Sequence, residues 1–273
     1  MKEGIYSNMN SKLILVEGLP GSGKTTTARL VHEILTQNNF DVELFLEGNL
    51  DHPADYDGVS FFTEYEFHQL LSKSGQYKEL LLETVTEKGG QFFLPYRKIM
   101  NEYGNQFQQF PDELLTTIFK KDLYELPFEQ NRDLIIQKWE EFATKATNEN
   151  KTYIFECCLI QNPITIGMIK YGVTEEKIID YVMRLKKTIE TLNPVLFYIE
   201  QEDLESSFKK AVNERPKIWS EGFIEYYTRQ GYGKQHSYEG LDGTIQVLRA
   251  RRELELKILD HLDLKKVKLN YSH

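Results

Sequence analysis

Gly18-Leu19-Pro20-Gly21-Ser22-Gly23-Lys24-Thr25 satisfies the pattern G-x-x-x-x-G-K-[ST] at every fixed position. These residue types fit one task, holding the phosphates of a nucleoside triphosphate. Glycines let backbone N–H groups turn inward onto β- and γ-phosphate oxygens, and the start of a following helix adds partial positive charge. Lys24 is placed to reach the same phosphates, and the Thr25 hydroxyl to sit on Mg²⁺. The flanks agree. Residues 12–17 form a short apolar run that predicts a buried strand, and residues 26–35 carry apolar side chains at helical spacing. Strand, glycine turn and helix in that order are the context in which the pattern becomes a phosphate cradle.

A bound triphosphate and metal call for acids nearby. Tyr153-Ile154-Phe155-Glu156 is an apolar run closed by a carboxylate, and Asp41-Val42-Glu43-Leu44-Phe45-Leu46-Glu47 reads as another strand closed by one. Open parallel sheets bind ligands beyond the carboxyl ends of their strands, so Glu47 and Glu156 should both face the loop. Two carboxylates beside a transferring phosphoryl group divide into a metal partner and a base for the incoming hydroxyl. The spacing does not say which is which. Glu17, directly before the loop, is a third acid in the same neighbourhood.

The elements that must position these groups follow a strand–helix rhythm. Core strands are predicted over residues 12–17, 41–47, 152–157, 195–199 and 266–269, with helices between them. That alternation implies an α/β fold with a parallel sheet covered by helices on both faces. Asn162 and Pro163 suggest the cap and first turn of a short helix that stops at Gly172, and Thr174 suggests the cap of the next. The second of these helices should bury Ile178, Val182, Leu185, Ile189 and Leu192. Residues 50–150 interrupt the rhythm as a large, aromatic-rich, mostly helical insertion, with helices over 111–123 and 128–147. Within it, residues 83–87 and 91–94 around Gly89-Gly90 predict a hairpin. The insertion either carries a substrate site or merely widens the core. A long last helix places Arg252 on a stripe with Ile245, Leu248, Leu256 and Leu259.

Composition narrows the partners. The chain has 273 residues and a net charge of −9, which excludes a general nucleic-acid surface because phosphate backbones demand a basic face. No apolar run is long enough to span a membrane. Residues 1–11 are polar and read as a loose tail rather than a secretory signal. The only cysteines, Cys157 and Cys158, are adjacent and form no disulfide framework, which points to a reducing cytoplasm.

These features resemble the P-loop kinases of small molecules, the nucleoside and nucleotide kinase group. Glu17-Gly18 followed by Gly21-Ser22-Gly23-Lys24-Thr25-Thr26 is similar to the opening of thymidylate kinase-like proteins. Glu47 in Phe45-Leu46-Glu47-Gly48 matches the glutamate that deoxynucleoside kinases use as base, with Gly48 where that group has proline. Glu156 matches the acid of an acid–arginine pair, but Cys157-Cys158 follow it and leave the acceptor open. The resemblance implies a three-layer P-loop NTPase sandwich with a five-stranded parallel sheet in the order 2-3-1-4-5. It implies ATP and Mg²⁺ as cofactors, the triphosphate cradled by Gly18, Pro20, Gly21, Ser22, Gly23, Lys24, Thr25 and Thr26, and the metal on Thr25 and Glu156. Val195-Leu196-Phe197-Tyr198-Ile199 and the helix after it lead, in this group, to a cationic lid. Here that lid covers about residues 209–243, with Arg215 its main candidate and Lys209, Lys210 and Arg229 behind it. Residues 219–243 are either a mobile cover or an ordinary packed segment. The catalytic set is then Lys24, Glu47, Glu156 and Arg215. Tyr96-Arg97-Lys98 is either an anion anchor in the insertion or surface charge.

The expected activity is phosphoryl transfer from ATP to a small-molecule acceptor, with no nucleic acid or membrane partner; a homodimer is compatible with it. Two rivals keep the loop but not the chemistry: an ATPase or regulatory protein that drives a protein partner, and a non-catalytic nucleotide-binding module. A guanine-reading N-K-x-D is absent, since Asn150-Lys151-Thr152-Tyr153 lacks the aspartate. The transporter signature L-S-G-G-Q is absent too, although Lys88-Gly89-Gly90-Gln91 resembles part of it.

Overall fold

The structure, a computed structural model, describes residues 11–270. The tail expected over residues 1–11 therefore lies, except for Ser11, outside the described residues. Along the chain run β1 (Leu13–Gly18), α1 (Lys24–Gln37) and β2 (Val42–Phe45). Next come β3 (Ser60–Thr63), α2 (Glu64–Lys73), α3 (Lys78–Thr84), β4 (Thr86–Lys88) and β5 (Gln91–Leu94). Helices α4 (Tyr96–Gln108), α5 (Asp112–Lys120) and α6 (Phe128–Asn148) lead to β6 (Thr152–Glu156) and α7 (Gln161–Ile164). Then follow α8 (Glu175–Thr188), β7 (Val195–Glu200), α9 (Leu204–Glu214), α10 (Lys217–Thr228), α11 (Gly231–Gln235), α12 (Gly240–His261) and β8 (Lys265–Asn270).

Two compact units result, one built from the chain up to Glu47 and from Ile136 onward, the other from Gly48–Ile135. The insertion expected over residues 50–150 thus ends earlier, because the second half of α6 packs with the first unit: Trp139 and Phe142 meet Phe155 there, with ring centroids 6.3 and 4.7 Å away.

The first unit holds a five-stranded parallel sheet in the order β2-β6-β1-β7-β8. Chain numbering therefore differs in detail from the expected 2-3-1-4-5, since three strands of the insertion intervene between the second and third sheet strands. β1 and β6 are buried along their whole length, as parallel strands covered on both faces must be. Val16 lies opposite Glu156 and Gly18 opposite Ile199, so the loop after β1 leaves the sheet beside the ends of β6 and β7. β2 stops at Phe45, short of the expected 47, and Glu47 stands in the turn beyond it. Ile178, Val182 and Leu185 of α8 are buried as expected, and so are Ile189 and Leu192, which lie just beyond the helix rather than on it.

The second unit has its own three-stranded antiparallel sheet, β3-β5-β4, and an apolar core that includes Phe62, Phe67, Leu81, Leu94 and Ile118. The hairpin around Gly89-Gly90 forms, but it starts at Thr86. Glu83 and Thr84 belong instead to α3, which drives Leu81 into that core. β3 has no counterpart among the sequence expectations. Its end carried a signal, since Thr63 and Glu66 form a reciprocal capping box at the start of α2.

The start of α7 also departs from expectation. Asn162 does not cap it; Ile160 occupies the cap position and offers no side-chain acceptor. The acceptor is the carboxylate of Glu17, in the neighbouring β1. Its Oε1 receives the N–H groups of Leu159 and Ile160 at 2.7 and 3.0 Å, and its Oε2 that of Gln161 at 3.0 Å. Beyond α7 the chain continues as a π-helix over Thr165–Tyr171 and ends on Gly172 in the left-handed conformation, as expected. Glu17 is thus a structural tie, fully buried, and burial pushes its carboxyl up to about 7 against the three backbone donors.

This carries a pH signature. Between about pH 4.5 and 7 the unfolded chain releases the Glu17 proton while the folded chain keeps it, so stability falls as pH rises through that window, by about 3 kcal/mol from this group. Glu17→Gln, which turns an amide N–H₂ toward one of the three donors, should cost about 1–2 kcal/mol near pH 4.5. The wild type's advantage over the variant in urea unfolding should then shrink steadily to pH 7.5. A difference independent of pH would mean that Glu17 titrates in the ordinary carboxylate range.

Candidate functional site

The loop is closed by its own backbone, with Ser22 N–H donating to Leu19 O at 3.1 Å. Gly18 must be glycine: at φ 146° a Cβ would stand 2.5 Å from Ile199 O and 2.9 Å from Ser22 Oγ. Gly23 takes φ 90° directly before the first helical residue, Lys24. Helix α1 has no side-chain cap and no acid in its first turn. Its N-terminal N–H groups and dipole are accordingly available to an anion. Lys24 is buried and bends back so that Nζ donates to Leu19 O at 2.9 Å.

Glu156 joins the ends of three elements. Thr25 Oγ1 donates to its Oε1 at 2.6 Å, and the backbone N–H of Glu47 donates to its Oε2 at 3.2 Å. β6 stops there because Cys157 turns left-handed at φ 72°, an unfavourable conformation for a residue with a Cβ, while its N–H still donates to Val16 O at 3.1 Å. Glu47 is exposed, and two neighbours hold its carboxylate: Gln161 Nε2 donates to Oε1 at 2.7 Å and Cys157 Sγ to Oε2 at 3.5 Å. Glu47, Glu156 and Cys157 each present a ligand atom within 4.8 Å of the others. The oxygens suit a hard cation such as Mg²⁺. The Cys157 sulfur does not, because burial raises its thiol well above the ordinary range and keeps it protonated. Thr25 and Glu156, already joined, offer the hydroxyl and carboxylate that Mg²⁺ at a triphosphate would take.

These groups line one cavity of about 530 Å³, together with Gln161, Arg215, Trp219, Phe223, Tyr227 and Arg251. A second cavity of about 500 Å³ runs from Gly21 and Ser22 past Gln201 and Ser206 to Lys210 and Arg215. Of the residues singled out in the sequence, Pro20, Gly21, Gly23, Lys24, Thr25, Thr26, Glu47, Glu156 and Arg215 meet around the first cavity. Ser22 faces the second, and Gly18 lies at the end of β1 beneath the loop. Arg215 stacks on Trp219 with its guanidinium carbon 4.3 Å from the ring centroid.

Other expected cations are engaged elsewhere. Lys209 pairs with Glu205 at 2.7 Å, and Arg229 with Glu225 at 2.6 Å, on exposed helix faces. In the second unit Tyr96 OH donates to Asp122 at 2.6 Å, Arg97 pairs with Asp57 at 2.7 Å and Lys98 with Asp51. Tyr96-Arg97-Lys98 is therefore partnered by acids of its own unit. The segment after Arg215 is helical, as α10, α11 and the start of α12.

One correction matters most. The arginine on the buried stripe of α12 is Arg251, not Arg252. Arg252 is partly exposed and lies 3.7 Å from Glu200. The apolar arc of α12 is broader than the expected stripe, taking in Val247, Leu254 and Ile258, which turns residue 251 inward and leaves Leu256 partly exposed. Three further wall residues, Trp219, Phe223 and Tyr227, were not among the expected site residues. Their signal was plain: Trp219, Phe223 and Tyr227 recur every fourth residue, so one face of α10 presents them together, and Arg215 just before the helix stacks on the first of them.

No family model matches the chain, and no curated protein does. Among solved structures the chain is similar to thymidylate kinase from Candida albicans, at 14% identity, over 96% of this chain and 85% of that one, with a TM-score of 0.39. A likeness at that score is too distant to bear on activity or substrate. The parallel sheet, with the glycine loop leaving β1 and leading into α1, has by its own topology the form of a P-loop NTPase fold.

Proposed function

We propose that this chain is an ATP- and Mg²⁺-dependent phosphotransferase acting on a small-molecule hydroxyl or phosphate acceptor. The observation that carries the reading is the Thr25–Glu156–Glu47 arrangement at the mouth of the glycine loop. A loop, a metal-type hydroxyl joined to a carboxylate, and a second, exposed carboxylate held by Gln161 share one cavity. Mg²⁺ bound with ATP would neutralise phosphate charge there. The protein's own groups do the remainder. The N–H groups of residues 21–26 and Lys24 hold phosphate oxygens, Lys24 exchanging the Leu19 carbonyl for them. Thr25 and Glu156 hold the metal. Glu47, exposed and oriented by Gln161, takes the acceptor proton, and Arg215 meets charge on the transferred group from the side of α10. The second cavity, beside Gly21, Ser22 and Gln201, offers room for the nucleoside of the donor. Cys157 and Cys158 are buried and form no disulfide, which accords with a reducing cytoplasm, and no described helix is long and apolar enough to cross a membrane.

Incubation with Mg-ATP and a panel of nucleosides, nucleoside monophosphates, sugars and aminoglycoside-type compounds should give ADP that depends on one acceptor class. ADP release only with a protein partner would favour the ATPase reading instead. Lys24→Ala should lower turnover about 10²-fold or more through lost phosphate contact. Glu47→Gln should lower kcat about 10²- to 10⁴-fold with the Mg-ATP affinity kept. Glu156→Gln should instead raise the Mg²⁺ concentration needed for half-maximal ATP binding, as read by titration calorimetry. Full turnover in both glutamine variants would remove these two residues from the chemistry.

A further inference from the structure

Three buried side-chain atoms around the loop have no hydrogen-bond partner: Ser22 Oγ, Gln161 Oε1 and Arg251 Nη2. A buried polar group left unpaired is costly, and each such group in a folded protein calls for a reason. For Arg251 the cost is greatest, because the group is a cation with only 1% of its surface exposed.

The rest of its guanidinium is firmly held. Nε donates to Glu255 Oε1 at 2.8 Å, one turn further along α12, and Nη1 donates to Tyr227 OH at 2.7 Å. Glu255 is fixed in turn by Tyr198 OH, which donates to its Oε2 at 2.8 Å from β7. Two bonds in different directions set the plane of the fork. Nη2 is therefore presented in one orientation, on a residue that lines the same cavity as Lys24, Glu47, Glu156 and Arg215. A purely structural ion pair would need only Glu255. The network leaves one end of a rigid donor unused beside a phosphate loop, and a guanidinium edge of that kind is suited to an oxyanion.

We propose that Arg251 is an anion-binding residue of this site, its Nη2 contacting an oxyanion of a bound substrate, either the terminal phosphoryl group of the donor or an anionic group of the acceptor. Tyr227, Glu255 and Tyr198 are its positioning residues. The inference rests on the phosphotransferase reading, which supplies the ligands, but it concerns a residue of the last helix that the loop motif does not include. Arg215, exposed at the end of α9, and Arg251, buried on α12, then supply cations to the same cavity from two elements.

The test is direct binding by calorimetry, with no acceptor turnover needed. The probes are Mg-ATP, Mg-ADP, and inorganic phosphate added to the Mg-ADP-bound protein. Arg251→Lys keeps a charge for Glu255 but loses Nη2. The paired change Arg251→Gln with Glu255→Gln removes both charges, so it does not strand the acid if the lysine variant folds poorly; circular dichroism melting verifies folding of whichever is used. The expected result is a loss of about tenfold or more in affinity for Mg-ATP, if the contact is to the donor, or for added phosphate, if it is to an acceptor anion. Mg-ADP affinity should change less than twofold. Wild-type affinities for all three probes in a folded variant would overturn the assignment. So would an equal loss for ADP and ATP with no separate loss for phosphate, which would mark Arg251 as structural only. If the wild-type protein binds neither Mg-ATP nor Mg-ADP, the phosphotransferase reading fails and takes this inference with it. If the wild type binds them and the variant is indistinguishable, only the role of Arg251 falls.

Discussion

The carboxylate of Glu156 is the point on which the rest of the site depends. It stands at the end of a central strand, receives the Thr25 hydroxyl from the first helix, and receives the backbone N–H that follows the second strand. The pairing of β2 with β6 brings the ends of those two strands together, but it does not set where the first turn of α1 sits against them. One acceptor with two oxygens, each taking a donor from a different element, ties them at hydrogen-bond distance. The carboxylate that makes this tie is also the one the proposed function assigns to the metal, so in that reading one group serves both as structural tie and as ligand, and it fixes the Thr25 and Glu47 positions.

Around that point the protein accepts several local costs. Cys157 is left-handed although it has a Cβ, Glu17 is a buried carboxylate, and Arg251 with Glu255 is a buried ion pair. Buried ion pairs contribute little net stability, yet removing one partner costs about 3–5 kcal/mol. Such pairs therefore fix geometry more than they add stability. Glu17 fixes α7 against β1, which places Gln161 on Glu47. Glu255 and its tyrosines fix α12 against β7 and α10. Both acids work behind the loop, one under Gln161 and one under Arg251, and each controls the direction of a side chain in the cavity.

Legibility in the sequence followed the range of the interactions. The loop, its flanking strand and helix, and the apolar strands were readable because local chemistry and periodicity specify them. Glu156 was readable as a strand end, and Glu47 as an acid near one although it stands in the turn after β2, because a parallel sheet has a ligand-binding edge. Arg251 was misread as Arg252 because a four-residue stripe does not fix a helix's rotation to within one residue; the buried arc of α12 is wider than the stripe drawn through it. The cap of α7 was misplaced because its acceptor, Glu17, is 142 residues from Leu159 in sequence. β3 and the true start of the hairpin were obscured by an insertion whose aromatic residues are dense enough to satisfy helical and extended patterns alike.

By itself the sequence determined a strand, a glycine loop and a helix on a parallel α/β sheet, since glycine, lysine and threonine at those spacings have a local and nearly unique physical use. It also determined that Glu156 ends its strand. Only the tertiary structure decided which carboxylate joins Thr25, which faces the cavity with Gln161 behind it, and which arginine of the run in α12 is buried. Those outcomes depend on which side chains face one another across elements far apart in the chain. Such facing is set by sheet register and helix rotation, quantities that packing fixes and spacing alone leaves free.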